Sequence, residues 1–346
     1  MKNKMSDIFQ DNFAKQFEND PAYKANMILE KAETTNNIKK KIDLINEALK
    51  IDPANCDAYN MLAELEKDNS EEQKNIYKKA IEIFKKAKSK EYFDNMKGGF
   101  WGELETRPFM RSVHCYAECL RRTGKIKEAI KEYTYLLELN PNDNQGVRYD
   151  LINCLFQIND LKNAEKLLDT YKEFTGFFIF DRLILEILKK SKLGILESLY
   201  KQVNKENKYV VPYLLGKLQL PKPKNLPDMY SFGSEEEAMI YADNFRELLK
   251  NKKEVLDTLA LLNDKASKNL EQTTEDLTLM LLYLTSWEEK NFDNSKSIVN
   301  WKNHHFEVLD KLTEKDFTDG SHKSKVIYIT EKGIEKAKKL LKKYGI

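Results

Sequence analysis

The stretch "RSVHCYAECLRRTGKIKEAIKEYTYLLELNPNDNQG", Arg111 to Gly146, decides how the chain reads. It parses as a helix, a tight turn at Thr123-Gly124-Lys125, a second helix, and a stop at Asn140-Pro141. Small side chains at Ala117 and Ala129 let the two helices approach closely, and Leu120, Tyr133 and Leu136 fill the space beside them. Pro141 opens the next element, because a proline inside a helix removes a hydrogen bond and clashes with the preceding turn.

The same spacing recurs outward. A unit begins near Gln145, and its turn "INDLKNAEKLLDTY" places Ala164 35 positions after Ala129. Upstream, "KKKIDLINEALKIDPANCDAYNMLAEL" puts Ile45, Ala48 and Pro53 at matching positions. Tyr59, Leu62 and Ala63 open a further unit, with "IYKKAIEIFKKA" as its second helix, and a degraded pair spans Phe180 to Asn204. Val113, Tyr116, Ala117, Leu120, Gly124, Ala129, Tyr133, Leu136 and Pro141 follow the order of the tetratricopeptide repeat, which this segment resembles, with Val113 where a larger residue is usual. Each such pair exposes apolar surface until a neighbour covers it, so the expected architecture is an α-solenoid with a long concave face. The resemblance implies a protein or peptide held in that groove. The competing reading is a dimerisation surface or a spacer.

Composition agrees with a mainly α chain. Gly and Pro are few, at 12 and 8 of 346 residues, and Lys, Glu, Leu, Ile and Asn are abundant. A net charge of +2 gives no global case for nucleic acid. Charges interrupt "MKNKMSDIFQDNFAKQF" before an apolar leader core forms, and "LMLLYL" is too short to span a bilayer. A cytoplasmic location with no membrane partner is expected. The sparse Cys56, Cys115, Cys119 and Cys154 are then expected to remain thiols.

"GGFWGELETRPFMR", Gly98 to Arg111, departs from the repeat between the second and third units. Its glycines permit chain reversal, Phe100, Trp101 and Phe109 are large anchors, and Thr106 is placed to cap the following helix, with Pro108 in its first turn. Arg107 and Arg111, four apart, share a helical face, and Glu103 and Glu105 are placed to pair with them. One reading is an anion or carboxylate clamp of guanidinium forks. The other is a reinforced joint in which Trp101 and Phe109 plug a gap and Glu105 satisfies an arginine. No nucleophile–base pair stands nearby, so no catalytic residue is assigned and no enzyme activity is expected. Together with "LELNPNDNQGVRY", "VPYLLGK" and "YSFGSEEEA", this string is similar to a group of bacterial tetratricopeptide proteins of undefined biochemistry, itself similar to eukaryotic proteins linked to tumour suppression. The resemblance covers roughly residues 48–249 and implies a special surface at Trp101, Glu105, Arg107, Arg111, Asn142, Asn144, Gln145 and Arg148. Stacking of the units suggests that Arg148 joins the other two arginines.

Beyond the repeats, Pro212, Pro221, Pro223 and Pro227 forbid continuous helix, and Ser234 with Glu237 forms a capping box before a closing helix, Glu235 to Leu249. The expected divisions are a solenoid over 1–212, an extended Pro-rich segment with capping helices over 213–265, and a separate module over 270–346. In that module a helix capped by Thr273 or Thr274, a helix from about His304 to Asp316, the strand "KVIYIT" and a helix capped by Thr330 resemble a winged helix-turn-helix domain. "LTLMLLYLTSWEE", "WKNHHFEVLDKL" and "SHKSKVIYITEKGIEKA" are closer to a small uncharacterised bacterial domain. From Ser321 to Lys343 there are eight Lys against two Glu, so Lys323, Lys325, Lys338, Lys339, Lys342 and Lys343 are candidate phosphate contacts. Against base-specific reading, the module contains no Arg, and its middle helix carries Glu307, Asp310, Glu314 and Asp316. A scaffold or adaptor for proteins is therefore the leading expectation. The alternative is a DNA-binding transcriptional or mobile-element regulator controlled through the repeats. Metal and cofactor sites are not expected: His114, Cys115 and Cys119 supply three ligands where structural zinc takes four, and Trp301 and Phe306 beside His304 and His305 suggest packing.

Overall fold

The structure, a computed structural model, describes residues 19–171, 176–222, 225–291, 293–320 and 323–346. Residues 1–18 of the expected solenoid, Pro223 and Ser321 lie outside this set. The chain divides into two compact units, Met1–Leu256 and Asp257–Ile346.

The first unit is a tetratricopeptide-like α-solenoid whose described residues form five helix pairs. These are α1 (Pro21–Thr34) with α2 (Ile38–Ile51), α3 (Cys56–Glu64) with α4 (Glu71–Ala87), α6 (Arg107–Arg122) with α7 (Ile126–Leu139), α8 (Val147–Gln157) with α9 (Leu161–Thr170), and α10 (Gly176–Leu188) with α11 (Leu193–Glu206). Side-chain caps start many of them: the Asn37, Asn55, Ser70 and Asp160 oxygens accept from backbone N–H groups of α2, α3, α4 and α9. The turn after α6 is made by Gly124 at φ +80°, which lets Lys125 N–H return to Leu120 O at 2.8 Å. Ala117, Ala129 and Tyr133 are fully buried and Leu120 and Leu136 nearly so, as close helix approach requires. The second helix of one pair packs on the first of the next throughout: α2 on α3, α4 on α6, α7 on α8, α9 on α10.

The departure from the repeat is an insertion that leaves this stack intact. Helix α5 (Lys90–Met96) and two 3-10 turns, Phe100–Gly102 and Leu104–Thr106, lie between α4 and α6, yet α4 still packs directly on α6. Thr106 stands before α6, but its hydroxyl does not cap the helix. It donates to Phe100 O, and to Glu103 O at 2.9 Å, pinning the two 3-10 turns together.

After a short helix, α12 (Val210–Leu214), the chain returns through α13 (Glu235–Lys250), which packs on both α12 and α8. Ser234 Oγ accepts from Glu237 N–H at 3.2 Å, while the Glu237 carboxylate accepts from Gly233 N–H at 2.8 Å and Asn207 Nδ2 at 2.9 Å. The box thus also ties α13 to the end of α11. Farther along, Asn153 Nδ2 of α8 donates to Asn244 O at 2.7 Å, and Tyr241 OH donates to Asp181 Oδ1 of α10 at 2.8 Å. Helix α13 therefore covers the first helices of the fourth and fifth pairs.

The second unit is a smaller α+β module with a winged-helix-like arrangement. Helix α14 (Lys253–Leu284) runs for 32 residues across the unit boundary. Thr273 and Thr274 lie inside it and cap nothing: their hydroxyls donate back to Asn269 O and Leu270 O, four residues earlier, the bond a threonine makes when it sits within a helix. Then come β1 (Trp287–Lys290), β2 (Lys296–Trp301), α15 (Phe306–Glu314), β3 (Thr318–Asp319), β4 (Val326–Ile329) and α16 (Glu331–Tyr344). The antiparallel sheet has order β1-β2-β4-β3. Ile327 and Ile329 face a core made by Leu279, Met280 and Leu282 of α14, Leu309 and Leu312 of α15, and Ala337, Leu340 and Leu341 of α16. Thr330 caps α16, accepting from Gly333 N–H at 3.0 Å.

Candidate protein-binding surface

The insertion separates a buried from an exposed set of residues. Phe100 and Phe109 are fully buried. Phe109 stacks on Phe84 with centroids 4.5 Å apart, and Phe93 stacks on Phe100 at 5.4 Å. This aromatic plug is the joint that the sequence anticipated, with Phe100 in the place expected for Trp101. Trp101 is half-buried: the Arg107 guanidinium lies over its ring at 4.9 Å, and Arg107 Nε donates to Trp101 O at 3.0 Å. Glu105 pairs with neither arginine. Lys88 Nζ lies 3.3 Å from its carboxylate, and Tyr92 OH donates to it at 2.9 Å. Arg111 instead reaches across to Asp57 of α3. Beneath it, Asn60 of α3 is fixed to α6: its Nδ2 donates to Pro108 O at 3.1 Å and its Oδ1 accepts from Ser112 Oγ at 2.6 Å.

The second string is brought against the insertion, since a Cβ on Gly98 would lie 3.9 Å from the Pro141 ring and Lys97 pairs with Glu138 at 3.1 Å. Arg148, however, is built into the turn. Its Nη1 donates to Asp143 Oδ2 at 2.8 Å, Nη2 donates to Tyr149 OH at 3.0 Å, and the guanidinium lies over the Tyr149 and Tyr171 rings. The three arginines thus have three different partner sets, and Arg148 supports the α8 entry. Asn142 and Asn144 are exposed at the same turn, and Gln145 Oε1 is buried without a partner among the described residues.

A larger pattern runs along α6. Arg107, Arg111, His114, Glu118 and Arg121 recur at intervals of four and three and form one stripe, opposite buried Phe109, Met110, Val113, Ala117 and Leu120. His114 Nε2 lies 3.3 Å from Asp150 of α8, and Arg121 lies 2.8 Å from Glu118 and 3.7 Å from Asp150. Tyr133 OH of α7 donates to Glu118 at 3.1 Å. The stripe is therefore tied to α3 at one end and α8 at the other, and it lies on the side formed by the first helices. Burial opposes the charge on Glu118, but Arg121 and Arg122 outweigh it and hold the carboxyl down at about 2. Burial also opposes protonation of His114, yet the hydrogen bond and charge of Asp150 raise its pKa above the usual imidazole value. The sequence carried the signal for this network in the spacing of polar residues on α6, and weighing His114 as a metal ligand obscured it. Burial pushes Cys119 up to about 11 and raises Cys115 too, which suits packed thiols. Among the described residues no metal-ligand cluster forms, and none of the described helices is long and apolar enough to cross a membrane.

In the second unit the six candidate lysines are exposed but divided. Lys323 and Lys325 precede β4, whereas Lys338, Lys339, Lys342 and Lys343 lie on α16, where Lys339 pairs with Glu335 at 2.7 Å and Lys338 lies over the Tyr283 ring. Trp301 and Phe306, expected to pack, are 55 % and 56 % exposed.

Comparison with known proteins gives matches to two family profiles. Residues 120–175 match a family profile described as a tetratricopeptide repeat. Residues 270–346 match one described as a domain of unknown function (DUF6429). No curated protein matches the chain in sequence. Among solved structures, the chain is similar to one in "Structure of Naa15/Naa10 bound to HypK-THB", with 17 % identity and a TM-score of 0.34, over 94 % of this chain and 41 % of that one. The chain thus spans about two fifths of that protein's length, and a likeness at this level carries no argument about function.

Proposed function

We propose that the protein is a cytosolic, non-catalytic scaffold that holds a protein or peptide segment against the polar stripe of α6. The observation that supports this reading is the stripe itself, with three guanidinium groups, an imidazole and a carboxylate at 107, 111, 114, 118 and 121 on the first-helix side. Buried neighbours preorganise these groups, which lowers the cost of ordering them on binding. Four basic groups with Glu118 among them, flanked by Asp57 and Asp150 from the neighbouring helices, suit a partner with both acidic and basic side chains and its own backbone amides. Because α13 covers the first helices of the last two pairs, the partner engages α1, α3 and α6. A relation to the eukaryotic proteins linked to tumour suppression belongs to this reading as well, through the shared strings at 98–111 and 137–149.

The test is capture of a partner by the tagged full-length protein from its own lysate with nuclease present, followed by capture with Arg107→Ala/Arg111→Ala. The expected result is a stoichiometric partner held by the parent and lost by the variant at unchanged helicity. Equal retention by the variant would overturn the assignment of the surface.

A further inference from the structure

The second unit has a sheet face turned away from its helical core, and we infer that the aromatic rings on this face are a stacking platform for unpaired bases of single-stranded nucleic acid. Pairing in the sheet sets Trp287 opposite Val299 and Val299 opposite Tyr328, with Trp301 opposite Val326. Directly paired residues, and those two apart on a strand, share a face. Trp287, Trp301 and Tyr328 therefore stand together on the side away from the Ile327 and Ile329 core. The Trp287 and Trp301 centroids are 5.2 Å apart. All three rings remain accessible, at 36 %, 55 % and 37 %. Val299 between them is fully buried, yet each of the three aromatic residues keeps a third or more of its own surface exposed, and exposed aromatic clusters of this kind mark interaction sites.

Charge narrows the occupant. At the Trp301 end the surface opens into a cleft of about 320 Å³, lined by Trp301, Lys302, Asn303, Phe306, Ser324 and Lys325. Among the described residues, two aromatic faces, two ammonium groups and two neutral hydrogen-bonding side chains line it, and no carboxylate does. Flat rings stack on every base, and lysine meets the backbone phosphate without reading sequence, so the missing arginines do not count against this mode. At the opposite edge Glu288 is engaged by Lys296 at 2.6 Å, and Glu289 shares the Trp287 face. The phosphate is therefore placed at the Lys302–Lys325 cleft, with bases laid from Trp301 toward Tyr328 and Trp287. Four-residue strands limit the platform to two or three bases. This surface differs from the lysines of α16, which stand on the helical side of the sheet.

The test uses the full-length chain and fluorescence anisotropy of a labelled oligothymidylate of about ten nucleotides, a length within the usual range for such sites. Unlabelled oligouridylate, thymidine 5′-monophosphate and a duplex of equal length serve as competitors. The expected result is saturable binding that weakens as salt rises, competition by both single strands, and at least tenfold poorer competition by the duplex and the mononucleotide. Trp301→Ala should weaken binding roughly 5- to 150-fold, the range for losing one stacked base. Lys325→Glu should weaken it at low salt and flatten the salt dependence. Both side chains are exposed, so far-UV circular dichroism and melting should stay at parent values. No binding, stronger binding of the duplex, or unchanged binding by folded Trp301→Ala would each overturn the inference; the first would leave the aromatic face to a protein partner.

Discussion

Phe109→Ala separates the joint from the binding surface. Phe109 is fully buried, stacks on Phe84 at 4.5 Å and an 18° interplanar angle, and meets the Phe93 ring edge-on at 5.8 Å. Removing a buried phenyl ring costs about 3–5 kcal/mol, and the lost ring pairs place this site toward the upper end. Against a total of roughly 5–15 kcal/mol that is a large share of the stability. A kilocalorie moves the midpoint of a unit this size by about 2–4 °C, so a drop of roughly 6–20 °C follows. Arg107→Ala provides the comparison. It removes a partly exposed cation–π contact and one hydrogen bond to Trp101 O, together about 1–2 kcal/mol. Urea and thermal unfolding followed at 222 nm would measure both. Hydrogen exchange should show protection lost around α4, α5 and α6 in Phe109→Ala, because neighbouring pairs in an array are coupled mainly to each other. A cost below about 1.5 kcal/mol for Phe109→Ala, or a larger cost for Arg107→Ala, would refute the division of the insertion into an apolar joint and a working surface.

The remaining predictions concern other places. Asp181 is wholly buried with Tyr241 as hydrogen-bond donor, and burial pushes its carboxyl up to about 8. The folded state therefore holds this proton more tightly than the unfolded chain, and stability should fall as pH rises from about 4 to about 8; Asp181→Asn should flatten that part of the profile in urea titrations at a series of pH values. His114 should titrate above a free imidazole by NMR, and Asp150→Asn should bring its pKa down; the stabilisation from this contact is complete in mild acid and is lost as pH rises through the folded-state value. A Cβ on Gly333 would lie 2.0 Å from Phe317 O, so Gly333→Ala should lower the stability of the second unit, measured by urea unfolding, by at least the roughly 1–3 kcal/mol typical of overpacking, although alanine favours helix. Arg111→Ala should cost under about 1 kcal/mol in stability, because its pair with Asp57 is exposed.

Much of the fold was legible in the sequence for a simple reason. Close helix approach demands small residues at fixed places, and Ala117, Ala129 and Ala164 supply them at the repeat period. The capping residues Ser234 and Thr330 were equally readable, because a local hydroxyl decides where a helix begins. The insertion was harder. Its aromatic residues announced an anchor, but whether Phe100 or Trp101 turns inward depends on α4 and α5, which no local pattern encodes. The expected Glu105–arginine pair failed for the same reason: Lys88 and Tyr92 arrive from outside the string and take the carboxylate. Thr273 and Thr274 misled because threonine serves both as a cap and as an interior residue bonded four back. The Trp287–Trp301–Tyr328 face was invisible until strand register was known, since a shift of one residue would have turned these rings inward.

The placement of α13 has a practical consequence for dissecting the molecule. Counting repeats suggests a fragment ending near residue 212, after the last helix pair. Such a fragment would lose the ring of Tyr241 from Phe177 and Phe180, the ring of Phe245 from Phe156, and the hydroxyl that satisfies Asp181. It would present a sticky greasy seam and a bare carboxyl to solvent, and would be recovered as aggregate. The shortest well-behaved piece ends beyond Lys252, whose ammonium reaches Asn159 Oδ1 at 2.5 Å. Truncation studies that place the cut earlier would mistake insolubility for a loss of partner recognition.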